Sequence, residues 1–187
     1  MTKRNPMIAV PLLALAVAVA LAASRGQVSA SHDDDDDGDN RWRIGLRIAP
    51  VPLNLMGKNR REVGLGSYFV NGAGDCNGCH TVGFEPYLPG GNPFLGEPEQ
   101  IDPDKYLVGG SEFGPFVSRN LRPDPVTGRP AELTFRQFRR VMRTGVDLKN
   151  IPPADLLQVM PWPNFSNLTD DDLRAIYEYL RALPPKP

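Results

Sequence analysis

Histidine and cysteine are scarce in this sequence of 187 residues, with two of each. His32 lies in an acidic run, which leaves His80 as the only histidine of the body and excludes any chemistry needing two or three imidazoles. Two cysteines cannot staple a disulfide-dense scaffold. Neither sign of charge dominates: 21 Lys and Arg stand against 22 Asp and Glu, for a net −1 that gives no nucleic-acid footprint. No repeat of solenoid length is visible, and no Ser-His or paired-carboxylate arrangement is recognisable. Gly and Pro are plentiful at 18 and 20, so much of the chain is loop. The hydrophobic content of 41% still suffices for a core.

The small net charge conceals three unlike segments. Residues 1–30 hold Lys3, Arg4 and Arg25, no acid, and an uncharged apolar run from Met7 to Ala23. With Val28-Ser29-Ala30 behind it, this reads as a cleaved secretory signal; the run contains Pro11 and is at the short limit for a retained anchor. The expected location is therefore the periplasm, at the membrane only if this segment is kept. Asp33 to Asp37 and Asp39 open an acidic, flexible extension over 31–57, in which like charges repel and stay solvated. The rest, 58–187, is expected to form one domain.

Helices are expected at both ends of that domain. Lys58 to Gly72 reads as the first, with Gly64 and Gly66 placed for close approach of another backbone or ring. From Gly83 to Pro130, both included, the chain holds 17 Gly and Pro residues with no sustained period. Six aromatic residues, from Phe84 to Phe116, mark this as an ordered loop that packs on something. Leu133-Thr134-Phe135-Arg136-Gln137-Phe138 predicts a helix start with capping box and staple, and Gly145 its end. Phe135, Phe138, Val141 and Met142 share one face, while Arg136, Arg139, Arg140 and Arg143 form a solvated one. The same device recurs at Leu168, Thr169, Asp172 and Leu173, ahead of a buried stripe of Leu173, Ile176, Tyr177 and Leu180 that Pro184-Pro185 ends.

The chemistry sits at Cys76-Asn77-Gly78-Cys79-His80. Two thiols three positions apart, followed at once by an imidazole, match covalent haem attachment. The thiols can add to the two vinyl groups on one porphyrin edge, the imidazole reaches the iron from the same side, and Gly78 relieves crowding between the anchors. A thioredoxin-like dithiol expects a βαβ context, a zinc site needs a fourth ligand the body does not offer, and a plain disulfide leaves His80 unexplained. The sixth iron position then falls to a methionine or stays open. Met56 has no motif around it, and Met142 lies on an apolar face where core filling is usual. Met160 is held extended by Pro161 in the stiff strap Val159-Met160-Pro161-Trp162-Pro163, so it is the expected distal ligand. Arg119 and Arg122 are candidate partners of a haem propionate.

From about Lys58 to Pro187 the sequence resembles the class I monohaem cytochromes c. The resemblance rests on Cys76-Asn77-Gly78-Cys79-His80, on Met160-Pro161-Trp162, and on the ending from Leu168 to Leu180. Tyr106-Leu107-Val108-Gly109-Gly110 followed by Asn120-Leu121-Arg122-Pro123-Asp124 looks like bacterial cytochrome c domains with a long haem-side loop, including those of dehydrogenase cytochrome subunits. The resemblance implies an all-α cytochrome c fold of three to five helices with long loops around one covalently attached haem c. It implies thioethers at Cys76 and Cys79, His80 proximal and Met160 distal, and first and last helices that cross at Gly66 against Ile176 or Tyr177. Filled axial positions favour one-electron exchange over catalysis. The expected function is thus a periplasmic electron carrier, not itself an enzyme, exchanging electrons with redox protein partners such as a dehydrogenase, an oxidase or another cytochrome. The alternative is a haem-bearing electron-transfer subunit of a periplasmic or membrane-associated dehydrogenase.

Overall fold

The structure, a computed structural model, describes residues 40–149 and 156–186. The expected signal and the Asp33 to Asp37 run lie outside the described residues. Among those described there are six α-helices and one two-stranded ribbon. In chain order they are α1 (Arg41–Ile48), α2 (Arg60–Ser67), α3 (Cys76–Cys79), β1 (Glu112–Phe113), β2 (Phe116–Val117), α4 (Phe135–Thr144), α5 (Trp162–Phe165) and α6 (Asp170–Ala182). The count exceeds the expected three to five because α3 and α5 are single turns and because α1 forms within the extension. None of the described helices is long and apolar enough to cross a membrane.

α2 starts where the Asn59 side chain accepts from the backbone N–H of Arg61 and Glu62, and it continues as a π-helical stretch from Tyr68 to Ala73. α4 and α6 carry both anticipated capping boxes, Thr134 with Gln137 and Thr169 with Asp172. Gly145 closes α4 at φ 68°, a left-handed position that a side chain disfavours.

α6 is the central strut, because two of its faces are buried. Ala175 and Tyr179, one turn apart, meet α2 at Gly66. A Cβ added to Gly66 would lie 2.5 Å from the Ala175 carbonyl carbon and 2.7 Å from Tyr179 Cβ. The crossing partners are therefore Ala175 and Tyr179, not Ile176 or Tyr177. Those two residues turn the other way: the Tyr177 hydroxyl donates to Leu133 O at 2.9 Å, its ring packs on Phe135 and Phe138 of α4, and Ile176 faces the interior cavity. Leu173 is fully enclosed, a burial that contributes roughly 1.5–3 kcal/mol.

A buried polar chain ties the crossing together. Tyr106 donates to Asn71 Oδ1 at 2.5 Å, the Tyr106 and Tyr179 hydroxyls lie 2.6 Å apart, and Asn71 Nδ2 donates to Tyr179 and to Ser67 Oγ. Ser67 Oγ in turn donates to Gly45 O of α1 at 2.6 Å. α1 lies so close to α2 that a Cβ on Gly45 would meet Tyr68 N at 2.6 Å. Trp42 of α1 is flanked by the guanidinium groups of Arg43 and Arg61, at 4.8 and 5.8 Å from its ring. Within the 31–57 extension, Arg41–Ile48 is thus helix packed on α2 where flexible chain was expected.

Arg136, Arg139 and Arg140 of α4 are exposed and Arg143 is half-buried, and Arg139 and Arg143 hold Asp170 at 2.7 and 2.8 Å, joining α4 to the start of α6.

Candidate functional site

α3 is one turn long and is set by its own flanks. Asp75 adopts a left-handed φ of 41°, and its carboxylate accepts from Gly78 N at 3.2 Å. A Cβ on Gly78 would come within 2.9 Å of Asp75 Cγ, so this glycine makes room for the capping carboxylate. Crowding between the two thiols, the expected reason for Gly78, is not its main contact.

His80 follows α3 and is clamped by backbone. Gly109 N donates to His80 O at 3.0 Å, and Gly109 itself sits at φ 72°. A Cβ there would lie 2.6 Å from Arg119 O, so glycine alone lets the 119–120 backbone approach. That approach brings Arg119 O within 2.8 Å of His80 Nδ1. A carbonyl oxygen only accepts, so Nδ1 carries the proton and Nε2 keeps its lone pair. Burial holds the imidazole below its ordinary pKa, with the Arg119 carbonyl opposing, which keeps the ring neutral near pH 7. Neutral His80 with a free Nε2 is a ready metal ligand.

The thiols are not poised as redox nucleophiles. Burial pushes Cys76 up to about 12, helped by the charges of Asp75 and Cys79, and burial followed by Asp75 raises Cys79 too. A catalytic dithiol needs the opposite shift. The two cysteines form no disulfide.

Cys76, Cys79 and His80 line a cavity of about 1070 Å³, just above the roughly 300–1,000 Å³ usual for ligand and cofactor sites. Its walls are mostly apolar, drawn from the π-helical stretch after α2, from α4 and α6 and from the strap before α5; Phe69, Phe138, Ile176 and Leu180 are typical. Phe116, Val117, Leu156 and Val159 line it while exposed to solvent, so the cavity has an open apolar rim. Two thiols and one neutral imidazole on one wall of a large apolar cavity fit a covalently held haem.

The strap is sewn to the end of α4. Leu157 N donates to Gly145 O at 2.7 Å, and the Trp162 indole packs on Gly145 so closely that an added Cβ would lie 2.5 Å from its Cδ2. Trp162 N donates to Met160 O at 2.8 Å, closing a turn at Pro161. Met160 and Met142 both line the cavity, Met160 half-buried and Met142 only 5% exposed. Met56 is 86% exposed and does not line it.

The two arginines have other partners. Arg119 lines the cavity, but its guanidinium grips Asp147 through contacts of 2.5 and 2.7 Å. Arg122 does not line the cavity. It is buried against the Tyr106 ring and donates to the carbonyls of Tyr106 and Pro103. Sequence reasoning missed the Arg119 carbonyl, for which the only trace is the Gly109-Gly110 pair that admits it.

No family model matches the chain. Among curated proteins it is 35% identical, over 62% of its length, to a nicotinate dehydrogenase subunit of Pseudomonas putida, of which it covers 8%. It is 32% identical, over 78% of its length, to the cytochrome c subunit of alcohol dehydrogenase (quinone) of Komagataeibacter europaeus, covering 30% of that protein. The gluconate 2-dehydrogenase cytochrome c subunit of Pantoea cypripedii is 32% identical over 65% of the chain, with 23% of that protein covered. The chain spans less than a third of the length of these relatives. Its likeness is to part of the cytochrome c subunits of bacterial dehydrogenases.

Proposed function

We propose that this chain is an electron-transfer unit carrying one covalent haem c, with thioethers at Cys76 and Cys79, His80 as proximal ligand and Met160 as distal ligand. The observation that carries the reading is the cavity in which both thiols and a His80 of fixed tautomer meet the strap bearing Met160. When bound there, a haem with two protein axial ligands supplies one-electron exchange at a raised reduction potential and offers no vacant position to a substrate.

The protein's own groups account for the rest. The Arg119 carbonyl orients the imidazole and raises its basicity. The Gly145–Trp162 contact and the Pro161 turn hold Met160 at the cavity wall. Apolar walls exclude water, and the open rim of Phe116, Val117, Leu156 and Val159 is where a partner would approach.

Of the two settings expected from the sequence, the likeness to dehydrogenase cytochrome c subunits supports a subunit or dedicated partner of a dehydrogenase over a free periplasmic carrier. The chain itself would perform no substrate chemistry. Export through a cleaved segment at 1–30, with the haem domain at 58–187, completes the reading.

The axial assignment is tested by the near-infrared band of a methionine–iron bond in the oxidised protein. The band is expected in the native chain, absent in Met160→Ala and retained in Met142→Ala. Loss in Met142→Ala alone would transfer the role to Met142. Its absence from the native protein would remove methionine ligation altogether.

A further inference from the structure

Arg119 is engaged at both ends. Its backbone carbonyl accepts from His80 Nδ1 at 2.8 Å, while its side-chain Nη2 donates to both carboxylate oxygens of Asp147, at 2.5 and 2.7 Å. Arg119 and Asp147 both line the thiol-lined cavity, and the Asp147 side chain is only 11% exposed. The function proposed above gives Asp147 no role.

The backbones at the two ends of this pair are held differently. On the His80 side a set of backbone bonds pins residues 118–121 to 107–111 and to His80 itself. Gly109 N donates to His80 O at 3.0 Å, and Gly110 N to Ser118 O, Ser118 N to Ser111 O and Leu121 N to Leu107 O, each at 2.9 Å. The strap that carries Met160 has no such set. Apart from its turn into α5, its backbone is hydrogen-bonded among the described residues to one other segment, through Leu157 N to Gly145 O at 2.7 Å, with Val146 opposite Leu156. Asp147 is the next residue of that segment, and its Oδ1 also accepts from Lys149 N at 2.9 Å. The Arg119–Asp147 pair therefore links the segment that carries the strap to the frame that holds His80. A pair with one end so far out of water counts for more than a surface pair, and losing either partner strands the other charge on a mostly apolar wall.

We propose that Asp147 is a positioning residue for the distal ligand: through Arg119 it ties the strap bearing Met160 to the backbone frame that fixes His80, with Met160 taken as that ligand on the reading above. Arg119 thereby serves both axial groups, His80 through its carbonyl and Met160 through its guanidinium. Opening the tie frees the strap first, because the His80 side keeps its own backbone bonds.

The test is imidazole binding to the oxidised, exported protein, read as loss of the methionine–iron near-infrared band, together with amide hydrogen exchange at Leu157 and Gly109. Imidazole competes with Met160 for the iron, so its affinity reports how readily the strap lets go. Asp147→Asn, which keeps the shape of the side chain, and Arg119→Gln, which keeps the carbonyl, should each bind imidazole roughly tenfold more tightly than wild type, as the loss of one partly buried pair allows. The double variant should match either single one, since both break the same link. Leu157 should exchange faster in all three, and Gly109 at the wild-type rate. Asp147→Glu, which keeps the charge, should return imidazole affinity most of the way to wild type. Arg139→Gln, which opens an exposed pair with Asp170, should leave it unchanged.

Wild-type imidazole affinity in both single variants, or additive effects in the double variant, overturns the tie. So does a fall in Tm with equal acceleration at Gly109 and Leu157, which a general structural role would give. A change in Arg119→Gln alone overturns it in favour of a haem propionate as the partner of Arg119. Absence of the band from the wild-type protein overturns Met160 ligation instead, and Leu157 exchange then still decides whether the tie holds the strap.

Discussion

Replacing Gly66 by alanine probes the crossing on which the whole cavity depends. The new Cβ would lie 2.5 Å from the Ala175 carbonyl carbon and 2.7 Å from Tyr179 Cβ, with Ala175 O nearer still. Carbon atoms prefer about 3.5–4.0 Å, so α2 and α6 must separate by about 1 Å. Overpacking of this kind costs roughly 1–3 kcal/mol, and here the obstacle is backbone, which places it at the upper end. The same movement draws the Tyr179 hydroxyl from Tyr106 and Asn71, worth about 1 kcal/mol more. Against this stands a helix-propensity gain of about 1 kcal/mol for alanine. The net expectation is a loss of about 3 kcal/mol, or roughly 10 °C in Tm for a domain of this size. Gly72→Ala is the internal control: the nearest atom to its Cβ is Ile48 Cδ1 at 3.6 Å, an ordinary contact. Thermal melts followed by far-ultraviolet circular dichroism should show Gly66→Ala well below wild type and Gly72→Ala level with it or a few degrees above, by the same propensity gain. A Gly66→Ala melt within about 2 °C of wild type, or an equal loss in Gly72→Ala, would refute the close-packed crossing.

The helix caps give a smaller, additive effect. Thr134→Ala and Thr169→Ala each remove a side-chain acceptor for an N3 backbone N–H and should cost about 1 kcal/mol in urea unfolding. The double variant is expected to show the sum, because the caps serve different helices. Asp170 supplies the pH dependence. Its carboxylate is held below its ordinary value of 3.8, first by the Arg143 hydrogen bond, with burial opposing and Arg139 adding to the lowering. A depressed carboxylate stabilises above its unfolded pKa and loses that contribution as pH falls through its folded value. The Tm gap between wild type and Asp170→Asn should therefore hold steady above about pH 5 and narrow as pH falls below that, and should shrink with added salt. A gap that failed to narrow there would contradict the pairing.

What could be read from the sequence is what local chemistry decides. Both capping boxes, the Gly145 stop and the buried stripe of α6 depend on residues within a few positions of one another, and all recur in the structure. The thiol–imidazole cluster was likewise legible, because one helical turn holds all of it. Long-range packing was not. α1 carries three arginines and a central glycine, and its order comes from the Gly45–α2 contact and from Trp42 between two guanidinium groups. Gly66 was found, but its partners were displaced to Ala175 and Tyr179, since spacing alone does not tell which side of α6 faces α2. Arg122 looked like an anion ligand until the carbonyls of Tyr106 and Pro103 took its donors. The Arg119 carbonyl, a backbone group, had no side-chain signature at all.

The central claim, a single haem held covalently by Cys76 and Cys79, is tested most directly by the intact mass of the exported protein under denaturing conditions. A chain heavier than its polypeptide by one haem, with the increment lost in Cys76→Ser/Cys79→Ser, is the expected result. An exported chain of unmodified polypeptide mass would contradict it.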